Sequence, residues 1–115
     1  MAAESTIVGA LTALVAGRVY PDVAPAGVGR PYLVYQKVGG EVIAQLDNSL
    51  PSKVNGRFQI SAWGASRTSI AALILQVEAA MVSIGARPIG SSVSDYESDT
   101  KLYGSRQDFS LWSDR

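Results

Sequence analysis

The segment from Ser66 to Pro88 restricts the fold of this chain more than any other. Ile70, Leu73, Ile74, Val77, Met81 and Ile84 recur at intervals of three and four, the spacing that gathers side chains on one face of an α-helix. Ser66 can cap the start, because its hydroxyl accepts a hydrogen bond from an amide of the first turn that has no partner within the helix. Gly85 and Pro88 close the other end. Just before it, from Arg57 to Trp63, Phe58, Ile60 and Ala62 alternate with Gln59, Ser61 and Trp63, the period of a strand with one apolar face. The helical stripe therefore reads first as a core face. Ala71, Ala72, Ala79 and Ala80 would let a neighbouring element approach closely, so a partner groove is the second reading.

The remaining elements follow from the same rules. Ile7, Val8, Leu11, Leu14 and Val15 predict a helix over 6–18, stopped by Gly17. Pro21, Pro25 and Pro31, interleaved with Gly27 and Gly29, cannot sustain a helix and predict an ordered connection over the surface. Tyr32 to Val38 reads as a strand, and Gly39-Gly40 as a tight turn into a returning strand from Glu41 to Leu46. Asp47 to Pro51 is rich in turn formers. Ile89 to Ser94 predicts a strand, Asp95 to Lys101 a polar turn, and Leu102 to Trp112 a last strand with Phe109 and Leu111 on one side and Asp108, Ser110 and Trp112 on the other. The expected fold is a single α+β domain over residues 1–115, a mainly antiparallel β-sheet carrying two amphipathic helices.

Composition narrows function mainly by exclusion. Of 115 residues, 47% are apolar and only 17% charged, which argues for a folded chain with surface for copies of itself or a partner to cover. Ten basic and ten acidic residues cancel, and the arginines scatter from Arg18 to Arg115, so no concentrated basic surface for nucleic acid is visible. With no cysteine, disulfides and thiolate metal sites are excluded. The apolar stretch from Ile7 to Ala16 is too short to span a bilayer and lacks the basic flank of a secretory signal; no membrane association is expected, and the protein is expected to work in the compartment where it is made.

The absence of histidine removes the usual general base, the imidazole metal ligand and every Ser-His-acid triad. A hydrolase would have to be carboxylate-dependent or use a Ser-Lys pair. Asp95, Glu97 and Asp99, with Asp108 beyond, could offer hard oxygen ligands to a cation, but EF-hand spacing is missing and a solvated turn is the plainer reading. Glu41 with Asp47 would serve glycoside hydrolysis only across a defined cleft. Neither Gly27-Val28-Gly29 nor Gly39-Gly40 carries the residues of a phosphate-binding loop. No catalytic residue, metal site or cofactor is expected. Tyr20, Tyr32, Tyr35, Trp63, Tyr96, Tyr103, Phe109 and Trp112 could stack on bases, yet without interleaved basic residues they read as core or subunit contacts. Trp63 and Trp112, opposite the presumed core residues, would either touch a second subunit or lie beneath a helix of the same chain.

Three blocks carry a resemblance. Gly17-Arg18-Val19-Tyr20-Pro21-Asp22-Val23-Ala24-Pro25 runs into Arg30-Pro31-Tyr32-Leu33-Val34-Tyr35-Gln36-Lys37-Val38-Gly39-Gly40; Arg57-Phe58-Gln59-Ile60-Ser61-Ala62-Trp63 leads into the Ala-rich helix; and Asp95-Tyr96-Glu97-Ser98-Asp99-Thr100-Lys101-Leu102-Tyr103 ends in Gln107-Asp108-Phe109-Ser110-Leu111-Trp112. In this order they resemble the small tail-completion proteins of long-tailed bacteriophages, the tail terminators and tail-to-head joining proteins. The resemblance implies a structural virion protein of the neck, not an enzyme. Such proteins form homo-oligomeric rings, typically hexamers, on the head-proximal end of the tail tube, assembled in the host cytoplasm. Expected partners are further copies of the chain, the tail tube protein and the head-tail connector, with DNA only as cargo through the lumen. A joining role without length control is the alternative. The loops around Glu41, Asp47 and Asn55 and around Asp95, Glu97 and Asp99 are the expected axial contacts, being polar and outside the strongest periodic segments.

Overall fold

Alternating side chains on the strand before the long helix send Phe58, Ile60 and Ala62 inward, where each is shielded almost completely. In the computed structural model, which describes residues 2–42 and 50–115, that strand is β3 (Lys53–Gly64). Around it stand α1 (Ala2–Leu11) with a following 3₁₀ turn (Thr12–Leu14), β1 (Val19–Pro21), β2 (Tyr32–Gly39), α2 (Arg67–Ser83), β4 (Arg87–Glu97) and β5 (Leu102–Asp114). The five strands form one sheet in the order β1-β2-β3-β5-β4. All pairings are antiparallel except β1 with β2. This is the expected α+β architecture, with a sheet that is mixed rather than wholly antiparallel.

Both helices pack on one face of the sheet. The core joins Ile7, Leu11 and Val15 to Leu33 and Tyr35, to the inward row of β3, to the stripe of α2 and to Phe109 and Leu111 of β5. Complete burial of an aliphatic or aromatic side chain of this kind is worth about 1.5–3 kcal/mol. On α2, Ile70, Leu73, Ile74, Val77 and Met81 are buried. Ser66 caps the helix, its hydroxyl accepting from the Ser69 amide at 3.2 Å.

Three local expectations are corrected. The first helix begins earlier and ends sooner than 6–18, with Ala3, Ile7 and Leu11 as its buried row, continued by Val15 after the 3₁₀ turn. Its chain reverses where Gly17 takes φ +85° and donates to the Thr12 carbonyl at 2.8 Å. The connection beyond it contains β1, a short parallel strand that local proline content hides. The turn at Gly39-Gly40 does not make a tight hairpin: β2 pairs with β3 from Tyr32↔Trp63 to Gly39↔Arg57. Glu41 and Val42 form no strand, and the rest of the expected returning strand lies outside the described residues. Gly40 has a different task, since a Cβ there would collide with the Asn55 carbonyl; glycine lets the chain cross close over β3.

Candidate interaction surface

The sheet face away from the helices carries the alternate residues of each strand. On β3 these are Asn55, Arg57, Gln59, Ser61 and Trp63, opposite Trp112, Ser110, Asp108, Arg106 and Gly104 of β5. Polar side chains dominate its middle and satisfy one another. Arg57 Nε donates to Asp108 Oδ2 at 2.8 Å and Gln59 Nε2 to Asp108 Oδ1 at 3.2 Å; Arg106 Nη1 donates to Asp95 Oδ2 at 3.0 Å. Such exposed pairs add about 0–1 kcal/mol each, but they cancel the charge of the face locally. A backbone-binding track for nucleic acid needs the opposite, a run of uncompensated cations.

Trp63 and Trp112 both lie on this open face, and neither is covered by a helix. The Trp63 ring rests on Gly104, where a Cβ would meet ring carbons at 2.7–3.0 Å, so glycine on β5 is what lets the indole lie flat across the strand. Trp112 is 43% exposed. Among the other aromatic candidates, Tyr35 and Phe109 are buried in the core and present no face to a partner. Tyr96 and Tyr103 contact each other on the helix side of the β4-β5 hairpin, with ring centroids 4.9 Å apart. Tyr20 and Tyr32 meet edge to face at 6.3 Å.

The acidic residues are more dispersed than their spacing suggests. Asp95 and Glu97 belong to β4 rather than to the connecting turn, because the hairpin ladder continues through Asp95↔Gly104 to Glu97↔Leu102. Only Asp99 remains in the turn. The Glu97 carboxylate accepts from the Thr100 hydroxyl at 2.7 Å. Among the described residues no three acidic side chains converge as a metal site requires. Glu41 sits at the other end of the strands, its amide donating to the buried Asn55 side chain at 2.9 Å while Asn55 donates to Ser110 at 2.8 Å. Asp47 lies outside the described residues.

Two grooves flank the sheet at opposite edges. Beside β1 and β2, the 22–30 loop overhangs the open face and encloses about 530 Å³ with Tyr32, Trp63 and Glu97. Burial there raises the pKa of Tyr32, the Glu97 carboxylate raises it further, and Arg30 opposes both. At the far edge a groove of about 640 Å³ runs between α2 and the β4-β5 hairpin, lined by Ala71, Leu75, Tyr96 and Tyr103, with Arg67 and Asp95 also on its wall. The outward side of α2 is unusual for an exposed helix. Its only charged residues are Arg67 and Glu78, and Glu78 is engaged by Gln107 at 2.7 Å. Leu75 and Val82 are 66% and 51% exposed.

A helix-backed sheet with a charge-balanced bare face and a sparsely charged helix flank suits contact with other proteins better than chemistry on a small molecule. The family model described as Tail completion protein gp17 matches residues 7–114. The chain belongs to this bacteriophage tail completion family. A search of curated proteins finds no match. The family match runs from the first fully buried residue of α1, Ile7, to the end of β5, Asp114, so it takes in the whole sheet, all of α2 and the second half of α1. Family membership gives a structural role in the phage tail, as a virion component that assembles with other virion proteins. No helix of the described residues is long and apolar enough to cross a membrane.

Sequence reasoning set the tryptophans opposite the core residues, leaving open whether a helix covers them, and missed the α2-hairpin groove, which needs two elements distant in sequence to be brought together. It also missed Gln107, a buried side chain that donates to Glu78 and, at 3.0 Å, to the Gly90 carbonyl. The one available signal was a glutamine two residues before Phe109, on the inward row it shares with Phe109 and Leu111.

Proposed function

We propose that this protein forms a homo-oligomeric ring, a hexamer on the family pattern, at the head-proximal end of the tail tube. There it ends tube polymerisation and offers the docking surface for the head connector. The observation that carries the reading is the family match across residues 7–114. Geometry adds a supporting argument. The β3-β5 ladder runs through twelve pairs from Lys53↔Asp114 to Gly64↔Tyr103, a span of roughly 36 Å at strand rise. Glu41 lies over Asn55, near one end, and the turn bearing Asp99 lies beyond the other. A ring with strands set steeply to its plane would present these polar ends to different neighbours, one to the tube protein and one to the connector. The mechanism is binding, with no catalytic step, and the subunits assemble in the host cytoplasm with DNA passing only through the lumen.

The test is electron microscopy of particles made when the gene is deleted from its parent phage or prophage, with complementation as control. Tails of uncontrolled length are the expected result. Normal-length tails separated from full heads would replace termination with joining, and unaltered infectious virions would overturn the proposal. Charge reversal at Glu97 and Asp99 is expected to lower the yield of joined particles without unfolding the subunit, and unchanged yield would remove that loop from the axial contacts.

A further inference from the structure

We infer that the 22–30 loop of one subunit docks in the groove between α2 and the β4-β5 hairpin of the next copy, and that this head-to-tail contact is the ring interface. The inference rests on the ring reading above and identifies the surfaces that build it.

The loop has the character of a preformed knob. Between Asp22 and Arg30 it holds no charge, only Val-Ala-Pro-Ala-Gly-Val-Gly, and Val23 is 76% exposed. An apolar side chain so exposed, on a segment fixed at both ends, is what a partner would cover. The base is closed by Arg18, whose Nε donates to the Pro31 carbonyl at 2.8 Å, and by the Asp22 amide donating to the Tyr35 carbonyl at 2.8 Å. A loop held in one shape loses little entropy on docking.

The groove has the matching character. Ala71 and Leu75 form one wall and Tyr96 and Tyr103 the other; aromatic and aliphatic walls of this kind are typical of the buried centre of an interface. Charge complements it as well. Asp22 at one end of the knob is opposite in sign to Arg67 on the groove wall, whereas Asp95 is already paired with Arg106 on the other face of the hairpin. Seating the knob therefore brings Asp22 toward Arg67, whereas two knobs or two grooves facing each other leave the apolar surfaces unmatched in shape.

Topology makes the contact directional. The knob follows β1 at one edge of the sheet and the groove borders β4 at the other. A contact between opposite edges is heterologous, so repeating it generates a ring or an open filament. Continuation of the sheet itself from β4 to a neighbour's β1 is blocked: Pro21 has no amide hydrogen, the Val19 amide is used by the Gly17 carbonyl at 2.9 Å and the Pro21 carbonyl by the Val23 amide at 2.6 Å. Side-chain docking is what the β1 edge has left to offer.

Because the chain contains no cysteine, introduced cysteines report on this contact alone. Val23→Cys and Leu75→Cys, singly and together, are placed in the phage gene, and purified tails are treated with a short bis-maleimide. The expected result is a ladder of cross-linked subunits up to the closed ring for the double variant, and none for either single variant. Virions that carry the protein in several copies but yield no ladder would overturn the inference while leaving the ring reading intact, as would dimers from a single variant, which indicate an isologous contact. Absence of the protein from virions would remove the ring reading and this interface with it. As a second measurement, Val23→Asp is expected to reduce incorporation into tails at least tenfold with the subunit's Tm unchanged, and normal incorporation would refute the docking.

Discussion

Replacing Gly56 by alanine tests how tightly the centre of the sheet is packed. Gly56 is buried on β3 opposite Leu111, and a Cβ there would collide with the Phe58 ring, meeting Cε2 first and Cζ at 3.0 Å. Phe58 is 1% exposed, so its ring can yield only by leaving its rotamer or moving the helices above it. Overpacking of this kind costs about 1–3 kcal/mol. With a Tm shift of about 4 °C per kcal/mol for a domain somewhat over 100 residues, Gly56→Ala should lower Tm by about 4–12 °C. Phe58→Leu shortens the obstructing ring, so the double variant should be more stable than the sum of the two changes by about 1 kcal/mol. Urea denaturation of the four proteins closes the cycle. A Gly56→Ala change within 0.5 kcal/mol of wild type, on the order of ordinary surface substitutions, or strictly additive effects, would show that the ring does not occupy the space the glycine leaves.

Other perturbations have equally definite outcomes. Ser66→Ala should cost about 0.5–2 kcal/mol through loss of the α2 cap, read as a lower urea midpoint, while Ser66→Asp restores it; equal midpoints for all three would deny the cap any part in stability. Gln107→Leu leaves the Gly90 carbonyl and the Glu78 carboxylate without their donor and should cost about 1–3 kcal/mol; a neutral effect in the denaturation midpoint would mean that water replaces the amide. Burial raises the pKa of Tyr35, and Glu4 and Asp22 raise it further. Since the unfolded phenol, with a pKa of about 10, loses its proton first, this stabilisation is complete below about pH 10 and is lost as pH rises through the folded value. Tyr35→Phe should flatten the alkaline fall in Tm, and an unchanged slope would assign that fall to other groups.

Local pattern made much of this fold readable. The stripe of α2, its serine cap and the alternation on β3 and β5 depend on neighbours within a few residues, and each was found where the pattern put it. Partner choice depends on the whole chain. Nothing near Tyr32 distinguishes pairing with the residues just after Gly40 from pairing with β3, and Val19-Tyr20-Pro21 becomes a strand only because β2 lies alongside it. The same division holds for the surface. Alternation set Trp63 and Trp112 opposite Phe58 and Phe109, while the placement of Asp95 and Glu97 on a strand followed from a hairpin ladder longer than the apolar residues alone could mark. The groove beside α2 was hidden because its walls come from residues around 71–75 and 96–103.

The strand order has a consequence for how the subunit is made. β5, the last strand in the sequence, lies inside the sheet between β3 and β4, so the ladder at the sheet's middle joins segments separated by all of α2 and β4. Until β5 emerges from the ribosome, β3 lacks its longest partner and Phe58 its facing Phe109. Local contacts suffice to form the helices earlier, but closure of the core waits for the synthesis of β5, as expected where long-range pairing governs folding. Nascent chains arrested before β5 should therefore be protease-sensitive throughout, and release of the final strand should protect the sheet in one step.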